Sequence, residues 1–226
     1  DMGCHLIDIP FKVLGLKYPT DVECSVGTIY TKMWSADYYP EGCPPSSSVS
    51  LHFDATEKNP SPIQMTWSDG GIKPFHPDLL PADVSIESNG IIMIGEKGVI
   101  SCDAYGEDPK LYRKGEPVVL GEKVKVLEPE FGHQRKWVDA CKAGFNSAEH
   151  KSLTSSFDYS GPLTETVLMG NIAIRSYMLT EATGNRRRSS YIGRKKLLWD
   201  GENMKINNLE AANQYVGRTY RKGWEL

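Results

Sequence analysis

The sequence contains no apolar run near the roughly 20 residues that cross a bilayer and no secretory leader pattern. It begins at Asp1 rather than at methionine, so a preceding segment is expected. Positive charge is not in excess. Lys and Arg number 26 against 29 Asp and Glu, for a formal net charge of −3, which leaves no electrostatic footprint for nucleic acid. Cysteine is scarce and odd in number, at five. The spacings are long and no C-x-x-C occurs, so neither a disulfide framework nor a zinc site is supported. Cys4, Cys102 and Cys141 lie among apolar neighbours and are expected to be small buried residues. No G-x-G-x-x-G follows a strand pattern, so the chain carries no dinucleotide fingerprint. Internal repeats and low-complexity segments are also missing.

The 226 residues are 39% hydrophobic, enough for a sizeable core. The one basic cluster, Arg186-Arg187-Arg188 with Arg194-Lys195-Lys196, reads as a solvated loop and strand flank rather than a polyanion site. Residues 1–16 have helical character ending near Gly15, with Pro10 at a kink. Residues 22–34, rich in Val, Thr, Ile and Tyr, predict a strand, and the proline-rich residues 38–47 a loop. Polar and apolar residues alternate over 48–53 and again over 63–67, predicting two half-buried antiparallel strands. Residues 90–102 form a hairpin turning at Gly95-Glu96-Lys97-Gly98, whose exposed Glu96 and Lys97 receive no catalytic role. Two later helices are expected. One covers 133–143 with Trp137, Val138 and Cys141 on one face. The other covers 162–179, opens at Pro162 and is apolar nearly all round. A strand over 192–199 and a short helix capped by Asn207 or Asn208 complete the chain. Strands early and helices late predict an α+β fold: an open, mainly antiparallel sheet with helices on one face.

The sharpest constellation is Asp1-Met2-Gly3-Cys4-His5-Leu6-Ile7-Asp8. On a helix, positions i, i+4 and i+7 share a face, which aligns Asp1, His5 and Asp8. A carboxylate beside an imidazole orients the ring and prepares it for proton transfer. The competing reading is a helix-start Asp, a hydrogen-bonded His and a surface Asp. A facial metal triad would use the same three residues, but nothing nearby completes it. A second candidate is the loop Trp67-Ser68-Asp69-Gly70-Gly71-Ile72-Lys73-Pro74, whose glycine pair lets backbone approach a ligand or simply makes a surface turn. A third is Phe157-Asp158-Tyr159-Ser160-Gly161-Pro162-Leu163-Thr164-Glu165, a helix start that either points polar groups into a cleft or only caps the helix.

From Asp1 to Asp8 the sequence resembles the glucose–fructose oxidoreductase/inositol dehydrogenase (Gfo/Idh/MocA) family. The resemblance continues through Trp67 to Pro74, the hairpin from Ile94 to Ile100, the segment from Asp158 to Arg175 and the ending from Tyr220 to Trp224. Five motifs in order liken the whole chain to the C-terminal domain of a large bacterial subgroup. The resemblance implies a fold like the C-terminal domain of glyceraldehyde-3-phosphate dehydrogenase, and an N-terminal Rossmann domain, outside this sequence, that binds NAD or NADP. It implies that Asp1 and His5 match the family's D-x-x-x-H catalytic pair, whose lysine belongs to the other domain. Asp8, Asp69, Lys73, Tyr159 and Glu165 are then expected to contact substrate hydroxyls. The implied partners are a carbohydrate or polyol substrate and a second copy of the chain through the sheet face, in the cytoplasm or exported. The alternatives are an NAD-dependent glycoside-cleaving member of the family and a non-catalytic binding or assembly module.

Overall fold

Pro10 divides the first helical stretch in two. In the computed structural model, which describes residues 2–37, 42–121, 132–182 and 189–225, helix α1 spans Gly3–Leu6 and α2 spans Asp8–Leu14. Ile7 between them keeps helical angles (φ −75°, ψ −27°), and the Phe11 amide still bonds the Ile7 carbonyl at 2.9 Å. The missing link is the one Pro10 cannot make, because it has no N–H for the Leu6 carbonyl. As the third residue of α2, Pro10 occupies a first-turn position where that loss costs little. Gly15, at φ +65°, closes the helix in the left-handed conformation.

The expected strand over 22–34 is corrected to two elements. Strand β1 is Asp21–Val26, and β2 is Tyr30–Lys32, which turns back on β3, Ser35–Ala36. The break comes after Gly27, whose amide bonds the Ser46 carbonyl at 2.8 Å in the β1–β4 register before the chain leaves β4. Strands β4 (Ser47–Phe53) and β5 (Ile63–Ser68) form the expected antiparallel pair, with Leu51 opposite Met65. In β4 the alternation is complete: Ser47, Val49, Leu51 and Phe53 are buried, while Ser48, Ser50 and His52 face the other way. Hairpin β6 (Ile91–Gly95) and β7 (Gly98–Cys102) turns on Glu96 and Lys97 as expected. Strands β8 (Lys110–Arg113) and β9 (Glu116–Val118) extend it to a four-stranded antiparallel meander. That second sheet has its own small core of Leu80, Val99 and Tyr112.

Helix α3 spans Gly132–Ala143 and α4 spans Ala148–Lys151. Helix α3 covers the expected 133–143, but only Ala140 is buried, and Trp137 and Cys141 are exposed. Of the three cysteines expected inside, Cys102 is buried, but Cys4 joins Cys141 at the surface. Their apolar neighbours sit on faces that these thiols do not share.

Helix α5 runs Phe157–Ser176, five residues earlier than its proline suggested, and stops before Leu179. Pro162 lies inside it and removes one backbone bond, while Ser156 supplies the extended N-cap (φ −62°, ψ 161°). Its burial is a single stripe, Leu163, Thr166, Met169, Ile172, Ala173 and Ser176, rather than all round. Apolar Leu168 and Phe157 instead face solvent.

Strands β10 (Thr180–Ala182) and β11 (Ser189–Tyr191) form a short hairpin. The expected strand over 192–199 is shorter and shifted: β12 is Leu197–Asp200, paired with β13, Lys205–Ile206. The final helix is a 3-10 turn, Glu210–Tyr215, whose N-cap is Leu209. Asn208 does not cap it. Its side chain instead holds the Leu198 amide at 2.9 Å and the Lys196 carbonyl at 2.8 Å.

The larger sheet has the order β13-β12-β1-β4-β5, and each of its neighbouring pairs is antiparallel. Helix α5 lies against β1 and β4 on one face, where Val22, Val49, Leu51, Met169, Leu197 and Ile206 form the main core. The architecture is α+β with open, mainly antiparallel sheets. No helix among the described residues is long and apolar enough to cross a membrane. Asp1, residues 38–41 of the proline-rich loop, and Arg186, Arg187 and Arg188 of the basic cluster lie outside the described residues.

Candidate functional site

Gly3 sets the geometry of the N-terminal site. A Cβ at this position would lie 3.0 Å from Val167 Cγ1 on α5, so the glycine lets α1 approach that helix closely. The approach brings the two motifs, 157 residues apart in sequence at their Asp1 and Asp158 starts, onto one junction of α1, α2 and α5. His5 stands exposed on α1. Asp8 opens α2, and the Tyr159 hydroxyl of α5 donates to the Asp8 carboxylate and, at 3.3 Å, reaches the Asp8 carbonyl. The Tyr159 ring packs edge-on against buried Phe11, with centroids 5.7 Å apart. Burial, then the hydrogen bond and negative charge of Asp8, push the Tyr159 phenol well above its ordinary range. Tyr159 therefore remains a hydrogen-bond donor near neutral pH, and its hydroxyl fixes the orientation of the Asp8 carboxylate. Asp1, the other half of the D-x-x-x-H pair, lies outside the described residues.

The other sequence candidates are placed elsewhere and engaged differently. Asp69 ends β5 and ties it to the start of β4. Its carboxylate accepts from the Ser47 amide at 2.6 Å, the Ser47 hydroxyl at 2.9 Å and the Trp67 indole N–H at 2.9 Å. The tight turn after it requires Gly70, at φ +63°, where a Cβ would fall 2.1 Å from the Pro45 carbonyl oxygen. Exposed Lys73 donates to the Ile86 carbonyl at 3.0 Å. Glu165, on the next turns of α5, accepts from the Trp199 indole of β12. Burial raises its carboxyl above the usual range, and the indole hydrogen bond opposes that rise without cancelling it. The structure thus brings Asp8 and Tyr159 together, with His5 one helical turn before Asp8 in sequence, while Asp69 and Glu165 serve as internal acceptors.

Two features escaped the sequence. Tyr105, in the turn after β7, meets the His5 ring at 5.7 Å between centroids with planes at 66°. It lies a hundred residues along the chain from His5, in a segment with no regular period. The second is a charged cluster on the outer face of the larger sheet. His52 Nδ1 sits 2.6 Å from Asp21 Oδ1, and Lys196 Nζ lies 3.5 Å from the same oxygen. The alternation of β4 put His52 on that face, but only the β1–β4 register, with Asp21 opposite His52, supplies its partner. Central strand β1 also adds Glu23 there, so the outer face carries more charge than β4 and β5 alone suggest.

Among the described residues no group of three or more His, Cys, Asp and Glu is placed to hold a metal ion. No protein-family model and no curated protein matches this chain.

Proposed function

We propose that this chain is the substrate-binding half of an NAD- or NADP-dependent oxidoreductase acting on a sugar, polyol or sugar derivative. The observation that carries the reading is the exposed His5 on α1, three residues before an Asp8 carboxylate that accepts from Tyr159. The arrangement suits proton transfer: an accessible base on α1 and, at the start of α2, a fixed acceptor that can orient a substrate hydroxyl. On this reading His5 takes the proton from the hydroxyl being oxidised, and Asp1 is the residue assigned to help orient the ring. Asp8 and Tyr159 are the nearest candidates for holding the other hydroxyls. Asp69 and Glu165 are assigned structural roles, since they lie elsewhere and accept from Ser47, Trp67 and Trp199 within the chain.

The described residues do not fit a dinucleotide. They contain no glycine-rich turn from a parallel strand into a helix, and the strands pair antiparallel. The cofactor is therefore assigned to a Rossmann domain outside this sequence. The domain resembled is the glyceraldehyde-3-phosphate dehydrogenase-like C-terminal one, in which an outer sheet face meets a second copy. Phe157 supports a covered surface near the site, since its ring is 91% exposed two residues before Tyr159.

The test is His5→Ala in the full-length protein. General-base loss typically costs about 10²–10⁴-fold in turnover, with the circular dichroism spectrum unchanged. Wild-type kcat/KM in that variant would make His5 structural and remove the mechanism.

A further inference from the structure

The second sheet delivers one exposed aromatic ring to the candidate site. Tyr105 sits in a turn that is fixed on both sides. The Asp103 carboxylate accepts from the Tyr105 amide at 2.9 Å and the Glu107 amide at 2.7 Å, and the Asp103 amide bonds the Glu107 carbonyl at 3.2 Å. Preceding Ala104 is buried. Following Gly106, at φ +79°, lies so close to α2 that a Cβ there would come 2.9 Å from Ile9 Cδ1. The turn is thus seated on the same helix that carries Asp8, and it presents the Tyr105 ring beside His5. The ring is nonetheless 66% exposed. An aromatic side chain positioned by so many local bonds, yet left open to solvent next to an exposed imidazole, has the form of a ligand-facing wall rather than of core packing.

We infer that Tyr105 is a substrate-contact residue that selects the ring form of the sugar or polyol. This inference rests on the proposed function and narrows its substrate class. A pyranose or cyclic polyol has a flat C–H face that can lie on the phenol ring, while its hydroxyls point outward from its edge. The His5 ring lies edge-on to Tyr105 at 5.7 Å between centroids, so a ligand stacked on the Tyr105 ring would lie close to the imidazole. An open-chain alditol offers no comparable apolar face. The selectivity therefore comes from the four-stranded sheet, which adds this wall, and not from the helices that carry the proton-transfer residue.

The experiment uses the full-length protein with myo-inositol, D-glucose and N-acetyl-D-glucosamine as ring-form probes and D-sorbitol as the open-chain probe. Tyr105→Phe and Tyr105→Ala are compared with the parent. The expected result is activity on at least one ring-form probe above that on sorbitol. Tyr105→Ala should then raise KM about 5- to 10-fold, as the loss of one aromatic stacking contact implies, with kcat within twofold. Tyr105→Phe should stay near the parent value. In the 226-residue chain itself, Tyr105→Ala should also shift the His5 imidazole proton resonances, because the ring beside them is gone. A parent active on ring-form probes whose KM is unmoved in Tyr105→Ala overturns the inference and leaves the proposed function standing. Preference for sorbitol, or a fall in kcat alone, also overturns it. A parent that turns over none of the probes removes the proposed function and this inference with it, and the His5 resonances then report whether the ring contact existed.

Discussion

At the junction of α1 and α5, a single hydrogen atom stands where any other residue would place a methyl group. Val167 Cγ1 would lie 3.0 Å from a Cβ on Gly3, so larger side chains must push α1, and His5 with it, away from α5. Gly3→Val should destabilise the chain by about 1–3 kcal/mol through overpacking, read from urea denaturation. The double variant with Val167→Ala should recover part of that loss, because the two side chains share one space. Full additivity would mean that they do not touch. Glu165 makes a second residue-scale case. Its folded pKa is raised, chiefly by burial, so the folded protein holds this proton more tightly than the unfolded chain does. Stability should therefore be spared below the ordinary glutamate range and fall as pH rises through the raised pKa. Glu165→Gln keeps an oxygen for the Trp199 indole and cannot ionise. It should melt at a higher temperature than wild type at pH 8, with the gap closing near pH 4. A gap independent of pH would assign the effect to packing.

Elements with a complete period were legible, and those interrupted by local chemistry were not. Strands β4 and β5 and the β6–β7 hairpin follow directly from two-residue alternation and a Gly-Glu-Lys-Gly turn, because burial of one face leaves a pattern in sequence. Helix α5 was found but begun too late. Pro162 looks like a first helical residue, yet Ser156 caps the helix a turn and a half earlier, and the proline costs only one bond there. Residues 22–34 read as one strand because Thr, Ile and Tyr continue past Gly27, whereas the pairing of β1 with β4 stops there and β2 pairs with β3 instead. The candidate site divides in the same way. His5 and Asp8 share one short helical stretch and can be read locally. The pairing of Asp8 with Tyr159 spans 151 residues, and the contact of His5 with Tyr105 depends on where a separate sheet is seated. No single window of sequence contains either.

For the molecule as a whole, the larger sheet has one face covered by α5 and an outer face with Asp21, Glu23, Ser50, His52 and Gln64. Charge there is partly neutralised internally, since Asp21 is bridged by both His52 and Lys196. On the proposed reading this face meets a second copy. Light scattering should then give a mass above 25.2 kDa that rises with concentration, and Ser50→Arg at the centre of the face should return it to the monomer. A mass fixed at 25.2 kDa at high concentration contradicts self-association of the chain. Proton transfer by His5 is read out by net formation of reduced nicotinamide. The full-length protein is incubated with NAD or NADP and the ring-form sugars, and the rate of cofactor reduction is compared with that of His5→Ala. Reduced cofactor should accumulate steadily in wild type, with a loss of about 10²–10⁴-fold in the variant. No reduction with any sugar or polyol, or equal rates in the two proteins, would contradict it.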